Sequence, residues 1–75
     1  MIWKDIKIQK PLAYKKGPWD GLKSDKILVC TVYDHYYIAT MYEGIIDGEE
    51  FCDFYDTQDF EIIGVRYWTE IDSPF

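Results

Sequence analysis

Asp47-Gly48 stands between two runs of alternating side chains, Tyr36 to Tyr42 and Glu49 to Tyr55. An Asp-Gly pair supplies the two positive-φ positions of a type I′ turn, whose twist matches that of paired strands, so its flanks are committed to an antiparallel hairpin. In the first run Tyr36, Ile38, Thr40 and Tyr42 share one face and Tyr37, Ala39 and Met41 the other; in the second, Cys52 and Phe54 face the core. Upstream, Lys26 to Tyr33 is almost continuously apolar and β-branched, as in a strand buried on both faces. Asp34-His35 then marks a tight turn, because both residue types tolerate positive φ. Asp56 to Asp59 reads as a turn or a single helical turn, and Ile62 to Glu70 as the next strand, with Gly64 at a bulge or a close backbone approach.

No stretch of helical length pairs a 3.6-residue period with capping residues. Residues 1–25 show little periodicity around the loop Gly17-Pro18-Trp19-Asp20-Gly21 and read as an irregular lysine-rich arm, in which Ile6 and Ile8 add a short edge strand or irregular packing. The expected fold is therefore mainly β: one domain over residues 1–75, with an antiparallel core over 26–70 forming a small four- to five-stranded sheet or partly open barrel. A 75-residue chain buries a modest core, so support from self-association into a homo-oligomer is expected.

Charge divides sharply along the chain. Residues 1–26 carry seven Lys and three Asp, whereas residues 27–75 carry Arg66 alone against six Asp and five Glu, a balance of −10 in a total of −6. Such a negative β region disfavours direct nucleic-acid binding and marks either an electrostatic partner or a dipolar surface. The start Met1-Ile2-Trp3-Lys4-Asp5 lacks the apolar stretch of a secretory leader, and the longest apolar run, Ile27 to Cys30, is far too short to cross a bilayer. A cytoplasmic setting with reduced thiols is expected.

Trp3, Pro11, the strand Lys26-Ile27-Leu28-Val29, Tyr42 with Asp47-Gly48-Glu49-Glu50-Phe51, and the ending Gly64-Val65-Arg66-Tyr67-Trp68 together resemble the small phage and prophage proteins of the domain of unknown function 551 family. The chain departs from that family's closing Val-Thr-His-Trp, having Arg66-Tyr67 between Val65 and Trp68, and Pro74 falls two residues late. The resemblance implies a bacterial host cell infected by phage and brings no catalytic residues with it.

The chemistry-bearing residues point towards binding. His35 is the sole histidine and sits in a turn among tyrosines; neither Ser24 nor Ser73 has a neighbouring base in sequence. Cys30, His35 and Cys52 lack metal-ligand spacing, and both cysteines read as small buried hydrophobes. No phosphate-cradling glycine motif occurs. With no catalytic set, metal or cofactor expected, the chain reads as a non-enzyme. Two sets of binding candidates stand out. Glu49, Glu50 and Asp53, in the densest acidic segment, either imitate a row of phosphates for a basic protein groove or form a solvated face that blocks edge pairing. Trp19, Tyr36, Tyr37, Arg66 and Trp68 supply aromatic platforms and a cation, or else stiffen a small sheet. The function expected is that of a counter-defence inhibitor that binds a host defence protein stoichiometrically; the alternative is sequestration of a nucleotide immune signal in pockets between subunits.

Overall fold

A computed structural model describes residues 2–17 and 21–71. Seven strands, β1 (Lys4–Asp5), β2 (Ala13–Lys16), β3 (Leu22–Ser24), β4 (Ile27–Thr31), β5 (Tyr36–Ile46), β6 (Glu49–Asp56) and β7 (Val65–Glu70), form one antiparallel sheet. The described residues contain no helix, and hence none long and apolar enough to cross a membrane. The order β1-β7-β4-β5-β3-β2, with β6 on the other side of β5, leaves the sheet open rather than closed into a barrel.

The fold is all-β and antiparallel, as the sequence leads one to expect, but the count of four to five strands falls short. The supposedly irregular arm holds β1, β2 and β3. Its strands escape sequence patterning because they are two to four residues long, too short for a period to show. In β2 and β3 the inward-facing positions are Ala13, which packs on the core, and Ser24, which is buried; the lysines project outward or to the side.

The turns follow residue chemistry closely. Asp47 and Gly48 have φ values of 52° and 80°, the double positive pair of the type I′ hairpin. Asp34, at φ 62°, turns the chain from β4 into β5; β4 stops at Thr31, two residues before the expected Tyr33, because the Thr31 carbonyl accepts the Asp34 N–H and closes the turn. Asp56 makes a turn rather than a helical turn: its carboxylate accepts the N–H groups of Gln58 and Phe60. Gly64 has φ 79°, and a Cβ there would stand 3.1 Å from a Val32 methyl, so the glycine serves a close approach. Along the last expected strand, regular pairing starts only at Val65, with Glu61 as an isolated bridge to Tyr55.

Ile27, Val29, Ala39, Met41, Phe54, Ile62 and Trp68 make the core on one face of the sheet. The alternation of β5 delivers Ala39 and Met41 there, and register places Met41 opposite Phe54. Trp68 is sealed by the segment after β1: its Nε1–H donates to the Gln9 carbonyl at 2.7 Å, while the Lys4 ammonium lies 4.5 Å from its ring centre. β3 and β4 run along the same side of β5 as an interrupted partner, with the gap at Asp25-Lys26. Buried Ser24 bridges that gap, its Oγ accepting the Met41 N–H at 3.0 Å and donating to the Asp25 carbonyl.

Candidate functional site

The β5–β6 hairpin runs well past the core. Pairing extends from Ala39 and Asp56 to Ile46 and Glu49, four residues beyond the Tyr42 at which sequence patterning suggests an end. Gly44 permits the extension, because a Cβ there would meet the Phe51 ring at 2.8 Å. Between Lys26 and Arg66 there is no Lys or Arg, whereas the hairpin carries Glu43, Asp47, Glu49, Glu50 and Asp53.

Alternation distributes these side chains over both faces. Glu49 and Asp53, opposite Ile46 and Tyr42, belong to the outer face; Glu50, opposite Ile45, belongs to the core-side face with Glu43 and Cys52. The three acids are therefore brought onto one projecting hairpin but not onto one plane. Among them sit two isoleucines, Ile45 at 63% and Ile46 at 42% exposure. Outer-face Tyr42 and Tyr55 meet edge to face with ring centres 5.5 Å apart. Partial burial, followed by the carboxylates of Asp53 and Glu61, raises the Tyr55 phenol above its ordinary value. On the core-side face a groove of about 780 Å³ is lined by Lys10, Leu22, Glu43, Ile45, Glu50 and Cys52. Burial raises the Cys52 thiol, with the nearby Lys10 acting in the opposite sense.

The aromatic candidates lie elsewhere. Tyr36 is exposed at the far end of β5 from Glu49, ten residues along the strand from Ile46, or roughly 30 Å by strand rise. It sits 6.0 Å from Trp3, ring centre to ring centre, on an outer face that also carries Ile38 and Tyr67. Tyr37 is on the opposite face, edge-on to His35 at 6.4 Å. Arg66 is held by Asp5 at 3.3 Å and lies 5.5 Å from the Tyr67 ring centre. Trp68 is buried in the core. Trp19 falls outside the described residues.

Sequence reasoning missed Ile45, Ile46 and Trp3. The isoleucines carried a usable signal: two adjacent apolar residues before an Asp-Gly turn are too far from the chain's central alternation for both to be buried. Trp3 carried none, since its partner Tyr36 is distant in sequence. Comparison with protein-family models, with curated proteins and with solved structures found no match to this chain.

Proposed function

We propose that this chain is a non-catalytic, phage- or prophage-encoded binding protein that inhibits a host defence protein stoichiometrically through the acidic β5–β6 hairpin. The carrying observation is a projecting hairpin whose carboxylates no cation on the same hairpin neutralises, with one exposed isoleucine on each face, Ile45 beside Glu50 and Ile46 beside Glu49. That arrangement matches the anatomy of a protein interface, in which an apolar centre supplies affinity and a charged rim supplies steering and specificity. The complementary partner surface is a basic cleft with an apolar floor, in a bacterial cytoplasm.

Sequestration of a nucleotide between subunits would require an aromatic ring and a cation presented together at the surface. Trp68 is buried beneath Lys4 and Gln9 and offers no stacking face, which favours the protein partner, whereas Arg66, held by Asp5, still lies 5.5 Å from the exposed Tyr67 ring and is the place where the nucleotide reading would be tested. Native mass spectrometry of protein purified from a defence-expressing host separates the two readings. A mass matching the bare chain or its homo-oligomer, together with a complex containing one host polypeptide per chain, supports the proposal. A few hundred extra daltons per oligomer, lost on denaturation, would overturn it in favour of the nucleotide.

A further inference from the structure

The outer edge of β6 is only half covered. In an antiparallel ladder, successive residues direct their backbone groups alternately towards and away from the neighbouring strand. On β6 the Phe54 carbonyl accepts from the Ile62 N–H at 2.8 Å and the Asp56 N–H donates to the Phe60 carbonyl at 2.9 Å, so the even-numbered residues face away from β5. By the same alternation the N–H and C=O of Glu50 and Cys52 point outward, and no described residue takes them. The chain itself begins the missing strand, through the Tyr55–Glu61 bridge, then leaves at Gly64, whose carbonyl accepts the Val32 N–H instead. A gap of about 260 Å³ remains beside Cys52 and Asp53, walled by Ile63, Gly64 and Val65.

We infer that this open edge, at Glu50 and Cys52, takes up an extended basic segment of the partner as an added β-strand. The inference rests on the acidic-hairpin reading above and specifies how that hairpin is used. Strand addition draws affinity from main-chain hydrogen bonds and specificity from alternate side chains. Here Glu50 calls for Lys or Arg on the core-side face, Asp53 calls for one on the outer face, and half-buried Cys52 with Ile63 calls for an apolar residue between them. A second copy of the same edge is refused, because Glu49, Glu50 and Asp53 would meet their own counterparts. The carboxylates that guard the edge against neutral or acidic strands are thus the ones that admit a basic strand.

The probe is a capped peptide of about eight residues centred on Lys-Val-Val-Lys, which sets lysines opposite Asp53 and Glu50 and a valine opposite Cys52, with the Glu-Val-Val-Glu peptide as control. Binding is followed by amide shifts of the ¹⁵N-labelled protein and by titration. Lysine–valine peptide should move and protect the Glu50 and Cys52 amides, and the control should not. N-methylating the peptide amides that face β6 should weaken binding about tenfold per amide removed, whereas methylation at the opposite parity should leave it intact. Glu50→Pro removes an outward N–H that β5 does not use, so it should bind about tenfold more weakly than Glu50→Gln. Equal sensitivity to methylation at both parities overturns strand addition even if the proline variant fails to fold. If reversal of Glu49, Glu50 and Asp53 to Lys abolishes binding while methylation parity is immaterial, strand addition fails and the acidic-hairpin reading survives. If the reversal changes nothing, both fail.

Discussion

Replacing Ser24 by Ala should cost this domain much more than the loss of one hydroxyl on a short strand suggests. Ser24 is 3% exposed, and its Oγ stands in for the carbonyl that the interrupted β3–β4 strand does not offer to Met41. Alanine leaves the Met41 N–H, in a residue with no exposed surface, without an acceptor. Stranding a buried donor costs about 1–3 kcal/mol. The other bond, from Oγ to the Asp25 carbonyl, is replaceable by water because Asp25 is exposed, so its loss adds little. A net loss of about 2 kcal/mol corresponds to a fall in Tm of about 8–16 °C for a domain of this size. It also removes a large share of a total stability of about 4–11 kcal/mol. Urea unfolding should show a lower midpoint with an unchanged slope, and amide exchange should show selective loss of protection at Met41. A change below about 0.5 kcal/mol, with the Met41 amide as slow to exchange as before, would refute the bridging role.

Gly64→Ala should lower Tm more than Gly48→Ala: both have φ near 80°, but a Cβ at residue 64 meets Val32 at 3.1 Å and Tyr33 at 3.3 Å, whereas nothing lies within 4 Å at residue 48; equal thermal shifts would show that crowding is irrelevant. The Lys15 ammonium and then the Tyr14 hydroxyl hold the Asp25 carboxyl below its ordinary value of 3.8. The folded value lies below the unfolded one, so this cluster's stabilisation is present above pH 3.8 and is lost as pH falls through the depressed value; acid unfolding of Asp25→Asn should lack that component. In the same variant the Tyr14 phenol, raised chiefly by its hydrogen bond to Asp25, should titrate at lower pH by ultraviolet absorbance, and an unmoved titration would contradict the bond. Reversing Glu49, Glu50 and Asp53 to Lys should, on the proposed reading, slow association with a basic partner and flatten its salt dependence, as read by stopped-flow fluorescence; an unchanged rate would refute the hairpin's proposed role.

What could be read from residue order was local. Asp47-Gly48 announced its hairpin, Asp34 its positive φ, and the spacing of Ala39, Met41 and Phe54 their common core face. β2 and β3 stayed hidden because Ala13-Tyr14-Lys15-Lys16 and Leu22-Lys23-Ser24 are short and place only Ala13 and Ser24 against the core, too little to leave a hydrophobic period. The acidic candidates were legible as one hairpin for the same local reason. The burial of Trp68 was not, since it depends on Lys4 and on the Gln9 carbonyl, 59 positions away. Arg66 likewise looked available to a ligand until Asp5, from the far end of the chain, came beside it.

β7 is seated between β1 and β4, so one of the first strands made and the middle of the sheet are joined only by the last. On the ribosome, β5 and β6 can close their hairpin early, while β4 must wait with the edge beside Val29 unpaired until Val65 to Glu70 emerge. A product cut short before Val65 therefore keeps an apolar strand open to other chains and is suited to quality control rather than partial activity. Among the described strands, the sheet is all-or-nothing in synthesis: β4 is covered on both edges only when β7 arrives.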